Sequence, residues 1–201
     1  SPDTRTGKTE EYNGSSWTEV SDMNTGRQQT AGTKVSNTSA LVFGGEYPGN
    51  TNSAITETWN GSSWTEVGDM NQAKYVHAGA GASSTSALAF TGSDGPSDLT
   101  ETELWNGSAW TEVADVNLAR SNLGGAGIAT AALAFAGYAD STTSVVGNTE
   151  SWNGSAWTET ADLNTARSDG GSAGRTYTAA LFFAGSPYAS LTESWNGTAW
   201  T

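Results

Sequence analysis

A seven-residue tract with the pattern Trp-Asn-Gly-[Ser/Thr]-x-Trp-Thr recurs along this chain of 201 residues. Four copies occupy residues 59–65, 105–111, 152–158 and 195–201, and a fifth copy, 12–18, has Tyr in the first slot. The second aromatic residue of each copy therefore returns at intervals of 43 to 47 residues, at Trp17, Trp64, Trp110, Trp157 and Trp200. A fixed period of this length with β-type motifs predicts one ring or array of small sheets, not independent domains.

Each repeat reads as four short strands, which we label a to d in chain order. Strand a is rich in small residues and strand b alternates Leu and Phe with smaller residues; strand c ends at the first Trp of the tract and strand d begins at the second. We expect strand a at 29–35, 76–82, 122–129 and 169–174, and strand b at 40–43, 87–90, 132–135 and 180–183. The Asn-Gly step predicts a tight c–d hairpin, for which a type I′ turn is typical.

Side-chain parity within these strands predicts how the sheets stack. The Leu and Phe of strand b share one face, and the two Trp of strands c and d also share a face. We expect each sheet to have one bulky face and one small face, so that bulky packs on small around a ring. The Gly and Ala residues of strand a favour the innermost position, where backbones converge and only small side chains fit.

The order of features within the repeat is also informative. A basic residue comes first, followed by strand a, an apolar strand ending in Gly-Gly, a strand with Glu and an aromatic residue, and then Trp. The Gly-Gly pair is Gly44-Gly45 in the first repeat, and the corresponding pairs are Thr91-Gly92, Ala136-Gly137 and Ala184-Gly185. This order resembles the kelch repeat over essentially the whole chain, and the resemblance implies an all-β fold, a β-propeller of four-stranded blades.

We expect residues 1–201 to form a single domain, which is made of consecutive repeats. A c–d half blade covers 1–20, and four complete repeats cover about 27–67, 74–113, 120–160 and 167–201. We favour five blade positions; the alternative is a four-bladed ring with a spare hairpin. A spare hairpin would expose strand edges, which invites pairing with another chain.

Composition excludes several functions. With 8 basic and 21 acidic residues the net charge is −13, so such a surface repels nucleic acids and anionic membranes. The chain contains no cysteine and one histidine, His77, which rules out thiol chemistry and a metal site made of two histidines. The Asp-x-Asn pairs of the d–a loops supply too few oxygens for a calcium site. We expect no metal and no cofactor.

Four cations stand out, because each follows an Asp by five residues at the start of a repeat. They are Arg27, Lys74, Arg120 and Arg167, which follow Asp22, Asp69, Asp115 and Asp162. One interpretation is that they pair with these Asp residues or with loop carbonyls and fix the d–a connection. The other is a cationic ring at the mouth of the channel, which would bind an anionic group of a ligand.

The rim formed by the d–a and b–c loops is also the predicted recognition surface. The b–c loops differ in length and sequence, and four of the six tyrosines fall on this rim: Tyr47, Tyr75, Tyr138 and Tyr188. Tyrosine combines apolar area with a hydroxyl at low entropic cost, which suits recognition surfaces. The alternative is that each tyrosine only fills its own loop.

We therefore expect a non-enzymatic binding or interaction module that presents this rim to a glycan or protein ligand, in an extracellular or virion-surface setting. The alternative is a structural or assembly module of a virion or cell-surface fibre, which forms homo-oligomers through unpaired strands. A glycosidase-like use of the repeated carboxylates Glu57, Glu103, Glu150 and Glu193 is a minor alternative, since a place in every repeat indicates a structural role, such as accepting backbone hydrogen bonds. For His77 we expect a polar lining of the central channel.

Overall fold

The chain is built from short strands and turns. The computed structural model describes residues 5–33, 36–188 and 190–201. The strands are β1 (Glu10–Tyr12), β2 (Trp17–Glu19), β3 (Ala31–Gly32), β4 (Ala40–Phe43), β5 (Glu46–Tyr47), β6 (Thr51–Asn52), β7 (Thr56–Trp59), β8 (Trp64–Glu66), β9 (Ala78–Ser83), β10 (Ser86–Phe90), β11 (Thr102–Trp105), β12 (Trp110–Val113), β13 (Gly124–Ile128), β14 (Ala131–Phe135), β15 (Tyr138–Ala139), β16 (Ser144–Val145), β17 (Thr149–Trp152), β18 (Trp157–Glu159), β19 (Gly171–Thr176), β20 (Ala179–Phe183) and β21 (Thr192–Trp195). Within these ranges there is no helix of the length and apolarity that a membrane crossing requires.

These strands form a β-propeller with four blades. Blade 1 is the antiparallel sheet β3-β4-β7-β8, blade 2 is β9-β10-β11-β12, blade 3 is β13-β14-β17-β18 and blade 4 is β19-β20-β21. In blade 4, Trp200 adds a single bridge to Trp195 in place of a full outer strand. A separate two-stranded sheet, the N-terminal hairpin β1–β2, precedes blade 1. The predicted all-β propeller with four complete repeats and one half repeat is confirmed, whereas five blade positions remain a prediction.

Strand a is the inner strand of each blade, as predicted. The inner strands contact one another in chain order, β3 with β9, β9 with β13 and β13 with β19, and among the described residues no contact of that extent joins β19 back to β3. Close approach explains the glycines here: a Cβ on Gly79 would lie 2.7 Å from Cζ of Phe43 in the preceding blade. The blades therefore form an arc around a common axis.

The expectation of one bulky and one small face per sheet is wrong. In blade 1, Leu41 pairs across the sheet with Thr58, whereas Ala40 pairs with Trp59, and residues directly opposite each other share a face. One face thus carries Leu and Phe on strand b with Thr on strand c. The other face carries small residues on strand b with both Trp on strands c and d. The reason is register, because strand b is offset so that its bulky residues oppose the threonines.

This arrangement places one apolar core between each pair of neighbouring blades. Between blades 1 and 2, Leu41 and Phe43 pack on Ala87, Ala89, Trp105 and Trp110, and Met70 from the d–a loop closes the cluster. The same combination recurs between blades 2 and 3 and between blades 3 and 4, with Val116 and Leu163 in the place of Met70. Blades 2 and 3 therefore each contribute to two of these cores, and their stability depends on having a neighbour on both sides.

Strand a begins about two residues later than predicted. The residue two positions after each cation is in the left-handed region in every repeat: Gln29 (φ 55°), Val76 (48°), Asn122 (54°) and Asp169 (58°). These residues are also linked from blade to blade, because the N–H of Asp169 donates to the carbonyl of Asn122, that of Asn122 to Val76, and that of Val76 to Gln29. The left-handed residue turns the chain into the inner strand. Lys34 and Val35 of the first predicted strand lie outside the described residues.

The Asn-Gly hairpins form as predicted but not with type I′ turns. Tyr12 pairs with Trp17, so the loop holds the residues between them, and its Gly14 has a φ of 98° whereas Asn13 is not left-handed. The side-chain oxygen of Asn13 instead accepts hydrogen bonds from the N–H groups of Ser15 and Ser16, each over 3.0 Å. This Asx turn explains why Asn precedes Gly in every copy.

The N-terminal hairpin sits on blade 1 in the place that strands c and d of a preceding blade would take. Nε1 of Trp64 donates to Oγ1 of Thr9 over 3.1 Å, and Trp110, Trp157 and Trp200 make the same bond to the blade before them. In the described part of the chain no strands a and b accompany this hairpin, and a groove of about 570 Å³ lined by Tyr12, Trp17, Trp59 and Trp64 lies where it meets blade 1.

Candidate functional site

A buried polar cluster, which we call the Glu–cation cluster, occurs once per blade. In blade 3, Nη1 of Arg120 lies 3.1 Å from Oε1 of Glu150, and Nη2 of the same guanidinium donates to the carbonyl of Ala134 on strand b over 3.2 Å. Glu150 also accepts hydrogen bonds from the backbone and side-chain nitrogens of Asn117 in the d–a loop, each over 2.7 Å. The cluster thereby ties the d–a loop, strand b and strand c together.

The same geometry returns in the other blades. The ion pairs are Arg27–Glu57 at 2.9 Å, Lys74–Glu103 at 3.7 Å and Arg167–Glu193 at 2.5 Å. Asn24, Asn71 and Asn164 take the place of Asn117 and donate to the respective glutamate. Lys74, with one ammonium group, reaches the backbone carbonyl of Glu101 instead of a strand b carbonyl, since it lacks the forked geometry of Arg.

Burial and ion pairing act in opposite directions on the pKa values of the charged groups in the Glu–cation cluster. It lowers the pKa of Lys74 and of Arg120, and the neighbouring Glu103 and Glu150 act to raise those pKa values again. Burial also acts to raise the pKa of Glu193, but hydrogen bonds from Arg167 and Asn164 outweigh it, so that this pKa lies below its ordinary value. Ion pairing therefore favours the charged form of Glu193 inside the protein.

The predicted cationic ring is not present as an exposed surface. Lys74, Arg120 and Arg167 are fully buried and Arg27 is 5% exposed, because each is enclosed by its own blade and bound to its glutamate. The structure therefore agrees with the first interpretation, in which these cations fix the d–a connection. The predicted pairing with Asp is wrong, since among the ion pairs of the described residues these cations meet Glu of strand c. The predicted loop carbonyls do accept hydrogen bonds from two of the cations, Lys74 at Glu101 and Arg167 at Thr165.

The four tyrosines lie on the rim where they were expected. Tyr47 belongs to the small hairpin β5–β6 and Tyr138 to β15–β16, and both are half-buried, as is Tyr75. Tyr188 is 51% exposed. Backbone bridges join each d–a loop to the b–c loop of its own blade, such as Tyr75 with Ser93 and Ser121 with Tyr138. The structure thus places all four residues on one rim, and their role in binding stays a prediction.

This rim is also linked from one blade to the next. Nδ2 of Asn52 donates to the carbonyl of Asp94, which joins the b–c loops of blades 1 and 2. The loops of blades 2 and 3 are joined by Asp98 and Asp140, since the N–H of each donates to the carboxylate of the other. Burial raises the pKa of Asp98, against the hydrogen bonds that it accepts. The rim of blades 1 to 3 is therefore preorganised and acidic.

His77 lines the central cavity, in agreement with the prediction. This cavity of about 210 Å³ is bounded by Thr30, His77, Leu123 and Ser172, one from the inner region of each blade. Burial, followed by the charge of Lys74, lowers the pKa of His77 to about 3, although the Phe43 carbonyl acts to raise it. The imidazole is therefore neutral at physiological pH, and its ring lies 5.6 Å from that of Phe43.

In comparisons with known proteins, no family model and no curated protein sequence matches this chain.

The sequence carries a signal for the Glu–cation cluster in the spacing of its charged residues. Each glutamate follows its cation by 26 to 30 residues, so both recur with the period of the repeat. Two opposite charges with one shared period, in strands that the fold places side by side, indicate a buried pair. The Asp five residues before each cation is nearer along the chain, but strand pairing within the blade brings the glutamate of strand c into contact instead.

Proposed function

We propose that this chain is a kelch-like, non-enzymatic binding module whose ligand surface is the rim formed by the d–a and b–c loops. One observation carries the proposal: the polar residues that recur in every repeat are used by the scaffold, whereas the rim differs from blade to blade. The Glu–cation clusters and the Asx turns account for the repeated Arg, Glu and Asn residues. Residues that vary on a preorganised rim are left for recognition.

The charge of the rim supports a neutral or basic ligand. The four repeated cations are neutralised inside the blades, so they do not offset the acidic side chains of the surface. Asp98 and Asp140 lie beside Tyr138 on the rim. A neutral glycan or a basic protein surface fits these groups, whereas the anionic ligand expected from a cationic ring does not.

A binding experiment with matched variants tests this proposal. The wild-type chain is applied to a glycan array and a protein array, alongside the double variant Tyr138→Ala/Tyr188→Ala. The control is Tyr177→Ala, because Tyr177 is 46% exposed but follows the β19 strand at the opposite rim. We expect a signal that the double variant reduces at least about tenfold and that the control retains. A signal that is unchanged in the double variant would overturn the choice of rim.

A second candidate function, a structural or assembly role in a virion or cell-surface fibre, is favoured by a different observation. Within the described ranges, the large apolar side chains that are exposed all belong to the N-terminal hairpin or to blade 4: Tyr12, Trp17, Tyr177, Leu181, Phe183, Tyr188 and Leu191. Large exposed apolar side chains are typical of contact sites, and an assembly role would use them.

The repeated glutamates favour both of these roles over glycoside hydrolysis. Each accepts hydrogen bonds from a cation, from an Asn side chain and from loop N–H groups, as Glu57 does from Arg27, Asn24 and Thr25. A general acid needs a raised pKa and access to its substrate. Glu193 instead has a lowered pKa, and Glu57, Glu103 and Glu150 are at most 1% exposed.

A further inference from the structure

The central cavity lies near the end of the inner strands at which the d–a loops enter. Two of its lining residues, Thr30 and His77, directly follow Gln29 and Val76, the left-handed residues at which the chain turns from the d–a loop into strand a. The cavity of about 210 Å³ has room for several water molecules, each of which takes about 30 Å³ in the liquid. It is therefore a recess at the centre of the rim formed by the d–a and b–c loops.

His77 lines this recess without a hydrogen-bond partner among the described residues. The side chain is 6% exposed, and neither Nδ1 nor Nε2 forms a hydrogen bond with a described protein group. The Phe43 carbonyl acts on the pKa of the imidazole, but it does not complete a hydrogen bond with either nitrogen. Because nearly all buried polar atoms in proteins are hydrogen-bonded, an imidazole that lines a cavity in this way indicates a binding group for a molecule inside the cavity.

Gly44 in the preceding blade leaves the space that the imidazole occupies. A Cβ at this position would clash with Cε1 of His77 and would lie 2.9 Å from its Nε2. The backbone conformation does not require glycine, because the equivalent positions hold Thr91, Ala136 and Ala184, whose φ of 59–62° is close to the 63° of this glycine. Glycine thus occupies the slot at the blade boundary where histidine follows. Gly44 and His77 are matched to each other, and this match fixes the position of the ring.

The imidazole offers one hydrogen-bond donor and one acceptor. Burial and the charge of Lys74 lower the pKa of His77 to about 3, so the ring is neutral at physiological pH, and a neutral imidazole carries one N–H and one bare nitrogen. The described residues that line the recess include no charged side chain, and Thr30 and Ser172 contribute hydroxyls. A neutral hydroxyl group matches these surroundings, because it donates one hydrogen bond and accepts others.

We propose that this recess is a subsite for a neutral sugar, which inserts a hydroxymethyl arm and hydrogen-bonds through the hydroxyl of that arm to His77. The inference rests on the proposed binding function of the rim and names a ligand class for it. A basic protein fits the recess poorly, since its ammonium and guanidinium groups would meet no carboxylate among the lining residues. A metal ion also fits poorly, because the described part of the chain holds no group of three His, Cys, Asp or Glu side chains suited to one ion.

The size of the recess decides how much of a ligand enters it. Sites that enclose a whole small molecule have volumes of about 300–1,000 Å³. This recess, at about 210 Å³, is smaller, so it takes one arm of a sugar while the rest of the ligand stays at the rim. Tyr75 lies two residues before His77 and is half-buried, which leaves part of its side chain for contact with the apolar face of the sugar ring. The recess therefore recognises the arm, and the rim contacts the ring.

NMR of the wild-type chain tests the proposal without any substitution, because His77 is its one histidine and gives a single set of ring signals. The probes are methyl β-glucoside, methyl β-galactoside and methyl α-mannoside. The matched control is methyl β-xyloside, which is the glucoside without its hydroxymethyl arm. We expect at least one hexoside to shift the His77 ring signals saturably, with an affinity about tenfold higher than that of the xyloside. Silence of these signals towards all three hexosides, or an equal response to the xyloside, would overturn the subsite.

Two variants of His77 add an independent readout. Leu123 follows a left-handed residue in blade 3 as His77 does in blade 2, so His77→Leu places a side chain that this slot already accepts and removes both ring nitrogens. His77→Gln keeps a donor and an acceptor. By ligand-observed NMR with the hexoside that the wild type binds, we expect the affinity to fall about tenfold in His77→Leu and less in His77→Gln. Equal affinity in the wild type and His77→Leu would contradict the role of the imidazole, and circular dichroism checks that both variants fold.

The glycan and protein arrays separate failure of this subsite from failure of the rim. We expect the array signal for glycans with terminal hexoses to fall in His77→Leu as well as in Tyr138→Ala/Tyr188→Ala. A glycan signal that His77→Leu retains and the tyrosine variant loses would overturn the subsite and leave the binding rim standing. A signal confined to basic proteins would overturn the sugar and leave the rim standing as well. A wild-type chain without an array signal and without a response of its His77 resonances to the hexosides would overturn both proposals.

Discussion

Arg120 and Glu150 form a buried ion pair across blade 3, with Nη1 3.1 Å from Oε1 and both side chains shielded from solvent. The pair is shared by three segments of the chain, since Arg120 also binds the carbonyl of Ala134 and Glu150 binds Asn117. Its recurrence in all four blades makes it the polar counterpart of the apolar cores between them.

Removing one member of this pair should be strongly destabilising. In Arg120→Ala, Glu150 keeps its charge in a buried site without its cation, and we expect a loss of about 3–5 kcal/mol in the free energy of unfolding. Denaturant titration measures it. The control is Arg175→Ala, because Arg175 is exposed, with an expected change below about 0.5 kcal/mol. Equal losses in the two variants would contradict a structural role for the pair.

His77 should make the protein sensitive to acid. Its folded pKa of about 3 lies below the ordinary value of 6.5, so the neutral imidazole stabilises the fold fully above pH 6.5, and this contribution is lost as the pH falls from 6.5 towards 3. Between about pH 7.5 and about pH 4.5 we expect wild type to lose about 2–3 kcal/mol through this residue. Thr30 occupies the same slot in blade 1, which makes His77→Thr the natural comparison. An identical loss of stability in both proteins over that range would refute the assignment.

Left-handed residues after strand b offer a paired test of backbone strain. Ala184 (φ 60°) is followed by Gly185 (φ 95°). Ala184→Gly should stabilise the protein by about 0.5–1 kcal/mol, because Gly adopts this conformation without steric cost. Gly185→Ala should destabilise it by about 2 kcal/mol or more, since the new Cβ would also lie 2.6 Å from the Ser168 carbonyl oxygen. Thermal unfolding reads out both, and a stabilising Gly185→Ala would show that the turn differs from the one described.

Two phenylalanines in the same slot should differ in their contribution to stability. Phe90 is fully buried against Trp157, and Phe90→Ala should cost about 3–5 kcal/mol. Phe183 is 42% exposed, and Phe183→Ala should cost less than about 1 kcal/mol in dilute monomer. Chemical denaturation at low protein concentration compares them. Comparable losses would mean that blade 4 is already covered in the monomer.

The sequence predicted the architecture well because the period, the strand alternation and the Asn-Gly steps are local signals. The inner position of strand a followed from its Gly and Ala residues, and the structure confirms it. The register between strands b and c could not be predicted from such local signals. It depends on pairing Leu41 with Thr58 and Ala40 with Trp59, and a shift of one residue would have exchanged the faces.

The candidate site was harder to predict than the fold. Arg27 and Glu57 are 30 residues apart, and only their placement on one blade brings them together. The exposed fraction of a side chain was equally hard to predict. Phe135 and Phe183 have similar local sequences, yet Phe135 is fully buried and Phe183 is 42% exposed. That difference depends on contact with a neighbouring blade, as Phe135 makes with Trp200, and such a contact is a property of the tertiary structure and not of the repeat sequence.

Tryptophan-specific chemical labelling, read out by mass spectrometry, tests most directly that neighbouring blades pack through buried tryptophans while the hairpin tryptophan stays exposed. In dilute monomer, Trp17 should react fastest, Trp64 partially, and the other seven tryptophans, at 2–6% exposure, slowly. A Trp17 that is as protected as Trp110 in a monomeric sample would contradict the account, because it would show that the hairpin already packs on a blade of its own chain.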